Sequence, residues 1–102
     1  MKIPSSFDLL GRKIEVVFDN KRCAERNCFG LAELNCNKII LSTELDGAAI
    51  PQTMIETTFL HEALHHFLDT MGEQKLGANE KFIDLLASCL HQMLVTSKYD
   101  EN

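Results

Sequence analysis

The chain has 102 residues, 45% hydrophobic and 25% charged, with a formal net charge of −5. That length suits one domain burying roughly 60–70% of its unfolded surface, and the composition is that of an ordinary globular protein. The acidic balance and scattered Lys and Arg argue against a nucleic-acid partner, which would call for a basic patch.

Residues 1–12 read as a short segment broken by Pro4 and Gly11 and anchored by Phe7, Leu9 and Leu10. They contain no apolar run of signal-peptide length, and nothing downstream approaches the ~18 apolar residues of a membrane span. The expected compartment is the cytoplasm. There Cys23, Cys28, Cys36 and Cys89 are expected as reduced thiols, not a disulfide framework.

Lys13–Phe18 is rich in β-branched and aromatic residues and reads as a strand. A polar loop is expected from Asp19 through Asn27. Phe29–Leu34 and Lys38–Ser42 flank Asn35-Cys36-Asn37, which is a hairpin signal. Gly30 inside the first of these strands marks a bulge or a close backbone approach. Thr43–Ile50, containing Asp46-Gly47, reads as a loop.

Pro51 suits the first position of a helix that runs to Met71, with Gly72 as its stop. On a helical wheel Leu60, Ala63, Leu64, Phe67 and Met71 form one apolar flank. His61 and His65 lie at its margin and Glu62 further round. Residues 72–78 form a short connection. Asn79 can cap a second helix from Glu80 to Thr96, whose broad apolar arc (Phe82, Ile83, Leu85, Leu86, Leu90, Met93, Leu94) predicts extensive burial. The tail 98–102 is polar and expected to fray. The whole predicts a single α+β domain over 1–102, with its core at about 13–96. A small sheet of about three strands packs on the two helices.

The first helix carries His61-Glu62-Ala63-Leu64-His65, an HExxH motif. Random placement of this composition yields only about 0.01 such matches. On a helix His61 and His65 lie about 40° and one turn apart, so two neutral imidazoles can converge on one zinc ion. Glu62 projects beside them as a candidate base. A catalytic zinc usually takes a third protein ligand and keeps a position open. The three-histidine class would place that ligand at position 71, which is a methionine. Glu80 is the better candidate, because an antiparallel helix pair brings the start of the second helix to the end of the first. Asp84, one turn further, can accept the second ring N–H of His61.

HExxH followed by Asn79-Glu80-x-x-x-Asp84 resembles the gluzincin metallopeptidases. The sheet and two-helix arrangement is similar to ImmA/IrrE-type regulatory proteases and to compact phage and prophage metallopeptidase-like proteins. The resemblance implies a minimal zincin-like domain with one zinc held by His61, His65 and Glu80, and Asp84 orienting His61. Three features depart from thermolysin, the familiar example of that family, the first being that no counterpart of its large substrate-binding domain is expected. Only 14 residues separate His65 from Glu80, and no histidine or tyrosine matches its oxyanion-stabilising groups.

Among the other residues, His91 is expected about 16 Å along the helix from Glu80 and partly exposed. His66 is expected on the helix surface. Cys23, Cys28 and Cys36 lack an evident fourth ligand for a second zinc site, and nothing places Tyr99 near the cleft. The expected function is a zinc-dependent peptide hydrolase in which Glu62 activates the attacking water, with a polypeptide as substrate, aligned along a sheet edge. The alternative is a zinc-binding regulatory or interaction module with little turnover, gripping a protein partner.

Overall fold

The centre of the sheet is a run of four residues, Lys38–Leu41, of which Ile39, Ile40 and Leu41 are buried. A strand buried on both faces has no polar alternation, and this one reads as a continuous apolar run. In the computed structural model, which describes residues 1–100, the elements in chain order begin with β1 (Ser6–Leu9), β2 (Arg12–Phe18), α1 (Asn20–Glu25), β3 (Gly30–Glu33) and β4 (Lys38–Leu41). There follow β5 (Glu44–Leu45), β6 (Ala48–Ala49), α2 (Gln52–Thr70), α3 (Gln74–Gly77) and α4 (Glu80–Thr96).

The class is α+β, as expected, but the sheet has four strands in the order β1-β2-β4-β3, and β5 and β6 form a separate two-stranded sheet. β2 and β4 run parallel, with Val16 opposite Ile39 and Phe18 opposite Leu41. β3 pairs antiparallel with β4 through the expected hairpin. A 3₁₀ turn at Leu34–Cys36 and left-handed Asn37 (φ 54°) close it. β3 is thus an edge strand with one side free of pairing.

Four segments differ from the sequence reading. The first twelve residues form β1 and a two-residue turn into β2, with Leu10 and Gly11 both at positive φ. That turn favours Asn-Gly, and the leucine hides it. Phe7 holds β1 in place by edge-to-face contacts with Phe59 and Phe67, at 6.1 and 6.3 Å between ring centroids. The expected loop after Asp19 contains α1, capped by the Asp19 carboxylate accepting from Arg22 N–H at 3.0 Å. Asp46-Gly47 turns the tiny β5–β6 hairpin (φ 52° and 80°) in what read as a loop. The connection after Gly72 contains α3.

Both long helices fall where the sequence places them, with Pro51 as the residue before α2. Gly72 (φ 76°) ends α2 with paired bonds, Gly72 N–H to Asp69 O and Glu73 N–H to Leu68 O at 3.1 and 2.8 Å. Asn79 Oδ1 caps α4 by accepting from Phe82 N–H at 3.1 Å. The buried faces differ from the helical-wheel reading. α2 buries Ile55, Phe59, Ala63, Leu64 and Leu68, together with Glu56, Glu62 and His66, while Phe67 and Met71 are exposed. Its face is turned because it packs on the sheet and on α4 at once. α4 buries only Ile83 and Ala87 fully, and Leu85, Met93 and Leu94 stay exposed. It lies against α2 alone along this seam, so one stripe of its arc is covered.

Among the described residues no helix is long and apolar enough to cross a membrane. Ser97–Asp100 has no regular structure and is exposed. Glu101 and Asn102, also covered by the fraying expectation, lie outside the described residues.

α2 is fixed on the sheet by two devices. His66 is fully buried, correcting the surface expectation, and its Nε2 donates to Lys38 O at 2.8 Å. Gly30 supplies the close approach: a Cβ there would sit 2.6 Å from Thr58 Cγ2. Gly30→Ala is therefore expected to lower stability by about 1–3 kcal/mol through overpacking. The added substitution Thr58→Ser, which removes Cγ2, should recover much of that loss. Urea unfolding of the single and double variants measures both, and additive effects would contradict the contact.

Candidate metal centre

α2 and α4 meet so that rising numbers on one face falling numbers on the other: Glu56 pairs with His91, His61 with Asp84, and His65 with Glu80. The seam beneath is apolar, formed by Leu64, Leu68, Ile83 and Ala87, with Leu60, Phe82, Leu86 and Leu90 against them. This antiparallel packing brings the first residue of α4 beside the two histidines. The three sequence-predicted ligands converge. His61 Nε2 and His65 Nε2 lie 3.2 Å apart. Glu80 places Oε2 3.1 Å from the first and Oε1 3.3 Å from the second.

These spacings test the fit to an ion. Tetrahedral ligands at about 2.0–2.1 Å from a centre are about 3.3–3.4 Å from one another. The observed separations are close to that size, the two Glu80 distances being to different carboxylate oxygens, and one ligand atom from each of the three residues lies within 4.8 Å of the others. His61, His65 and Glu80 can hold a metal ion.

The protonation pattern agrees. Asp84 Oδ1 lies 2.8 Å from His61 Nδ1, so Nδ1 carries the proton and Nε2 presents its lone pair to the triangle. Burial lowers the pKa of His65 below the ordinary imidazole value, offset in part by the Glu80 carboxylate. His65 is therefore neutral near pH 7 and able to ligate. The Gly77 backbone works the other way and favours the protonated ring. Gly77 closes α3, the short helix hidden in the connection, so this contribution had no sequence signal.

Glu62 stands one residue from His61 and is buried to 9% exposure. Desolvation pushes its carboxyl up to about 7, against the opposing pull of His61 and with the carboxylates of Glu80 and Asp84 adding to the rise. It lines a cleft of about 410 Å³ together with His61, Asp84, Thr58 and the Cys28–Gly30 segment. That segment leads directly into edge strand β3.

The remaining histidine and tyrosine stand apart. His91 is half-buried and sits 2.7 Å from Glu56 Oε1, which keeps the Glu56 carboxyl below its usual range. It belongs to the far end of the helix seam. Tyr99 is 82% exposed and does not line the cleft.

Two outcomes follow for the binding site. Asp84→Asn should weaken metal affinity about 10–100-fold while leaving the one-ion stoichiometry intact, measured by competition with a chromophoric chelator. Unchanged affinity would remove Asp84 from the site. The second concerns the metal-free protein. A carboxyl raised from 4.5 to about 7 binds its proton more tightly folded than unfolded, so stability is lost as pH rises through that interval. Chelator-treated Glu62→Gln should thus be more stable than chelator-treated wild type at pH 8, by up to about 3 kcal/mol. The two should converge at pH 4, as read by denaturant unfolding.

No protein-family model, curated protein or solved structure matches this chain.

Proposed function

We propose that the protein is a zinc-dependent peptide hydrolase, with His61, His65 and Glu80 holding the ion and Glu62 acting as general base. The observation that carries this reading is the buried Glu62 carboxyl in the same cleft as His61 of the three-donor cluster. Two imidazole nitrogens and one carboxylate form the donor set of a catalytic zinc site that keeps a position open. When bound, zinc supplies a Lewis acid that acidifies water and polarises a carbonyl.

The chain's own groups then have distinct tasks. Glu62 accepts a proton from the attacking water and passes it to the leaving amine nitrogen. Asp84 keeps the His61 proton on Nδ1, which fixes the ring's direction through the reaction. The unpaired side of β3, next to the cleft at Gly30, offers backbone groups on which an extended polypeptide can add as a strand.

A second reading is favoured by one feature of the cleft. Its lining, among the described residues, includes no lysine, arginine or tyrosine to stabilise an oxyanion. A module that grips a polypeptide at the metal and turns it over slowly, or needs a partner to complete the cleft, meets that observation.

The Glu62→Gln variant decides between them. It is expected to keep its zinc by elemental analysis and to lose chelator-sensitive cleavage of unfolded polypeptides by at least 10²-fold. Wild-type cleavage that survives in Glu62→Gln would sink the general-base assignment. Stable binding by both proteins with no fragments, across a broad panel, would favour the gripping module.

A further inference from the structure

Cys23 and Cys28 have no part in the metal centre, yet the fold sets them side by side at its edge. The reason is the way α1 ends. Asn27 takes the left-handed conformation (φ 50°), Asn27 N–H donates to Ala24 O at 3.1 Å, and Cys28 N–H reaches back to Cys23 O at 3.1 Å. This pair of bonds is a helix stop in which the residue after the left-handed one contacts the residue in the last turn. Here those two residues are both cysteines. Backbone pairing and side-chain contacts both join the two residues. Cys28 Sγ also approaches Cys23 O at 3.8 Å, and Cys23 Sγ approaches Phe29 O at 3.9 Å.

The two thiols face different surroundings. Cys28 is half-buried and lines the cleft beside Glu62. Cys23 is fully buried behind it. Burial pushes the Cys23 thiol up to about 11, with Cys28, the Asp19 carboxylate and Glu62 all adding to the rise. Cys23 is therefore a poor nucleophile towards anything in solvent. A reagent entering through the cleft meets Cys28 first.

We propose that Cys23 and Cys28 form a redox-active dithiol in the cleft wall, Cys28 being the entry thiol and Cys23 the resolving thiol. The oxidant is a low-molecular-weight disulfide. The Cys28 thiolate attacks one of its sulfurs, the S–S bond breaks, and the first small thiol leaves with the electron pair. Cys23 then loses its proton and attacks the Cys28 sulfur, forming the internal disulfide and expelling the second small thiol. The protein loses two electrons and two protons, and the small disulfide gains them as two thiols. Closure removes both S–H donors. Phe29 O retains the bond from Ser42 N–H at 3.2 Å, which keeps the start of β3 attached to the sheet.

The test uses the full, zinc-loaded chain with Cys36→Ser and Cys89→Ser, which removes the two exposed thiols. Treatment with excess glutathione disulfide, acid quenching, alkylation and peptide mapping should show loss of both remaining thiols and a linked Cys23–Cys28 peptide. Adding Cys23→Ala should halt the reaction at one glutathione adduct on Cys28, and adding Cys28→Ala should leave Cys23 unmodified. A stable Cys28 adduct with no internal link while Cys23 is present would overturn the proposal. So would modification of Cys23 in the Cys28→Ala protein, or failure of both thiols to react in folded protein under conditions that oxidise Cys36 in the unsubstituted chain. The unsubstituted Cys23–Cys28 pair is read directly, so the result does not depend on the alanine variants folding. The readout is thiol chemistry, and it stands or falls separately from peptide hydrolysis.

Discussion

Two imidazole nitrogens 3.2 Å apart, with carboxylate oxygens at 3.1 and 3.3 Å, form an arrangement that a fold must hold deliberately. Lone pairs converging on one point repel unless a proton or a cation stands between them. Much of the remaining architecture bears on that convergence. α4 must run antiparallel to α2 so that its first residue, Glu80, meets His65, and Asn79 fixes the helix start that puts Glu80 there. Asp84 one turn on must reach His61. Gly30 must be bare so that α2 can sit close enough to β3 for a cleft to open beside the metal donors.

The seam that carries this geometry is thin. α4 buries only Ile83 and Ala87 completely and leaves Leu85, Met93 and Leu94 in solvent. Small domains bury a modest share of their surface and often need a staple beyond the core. A cation shared by His61 and His65 on α2 and Glu80 on α4 would act as such a staple across the same seam. Binding to the folded form alone stabilises by mass action. Ligation and folding are then coupled, with Glu56–His91 as the polar tie at the far end of the helix pair.

The sequence was most legible where one residue type carries a geometric demand. HExxH at helical spacing, Asn79 before Glu80, Gly72 at the end of α2 and Gly30 in a strand each imply a local shape, and each adopts it. The convergence of His61, His65 and Glu80 was legible because an antiparallel pair with a short connection allows few alternatives. The reading failed where the local signal was weak or the outcome depended on tertiary packing. Leu10 occupies a turn position where asparagine is usual, so β1 went unseen. α1 and α3 are too short to show a period. The wheel misjudged His66 and Phe67 because α2 has two packing partners, and no periodicity reveals which of two faces is covered. Glu62 looked like a residue set away from the apolar flank. Its burial, and with it the rise of its pKa to about 7, comes from tertiary packing that the wheel does not contain.

The least conspicuous element has the widest consequence for the site. α1 is six residues long, and its ending determines how the chain enters β3. The left-handed Asn27 turns Cys28 back against Cys23, Phe29 O then pairs with Ser42 N–H, and Gly30 begins the edge strand against Thr58. Cys28, Phe29 and Gly30 are also one wall of the cleft that Glu62 and His61 line. A change that loosens the helix stop therefore acts on the cleft without altering His61, His65 or Glu80. The same desolvation that raises Glu62 raises Cys23, and Glu62 is itself among the charges acting on that thiol. Carboxyl and thiol are both withdrawn from solvent. A charge gained or lost by either is felt by the other, which makes the cleft wall part of the site's electrostatics as well as its shape.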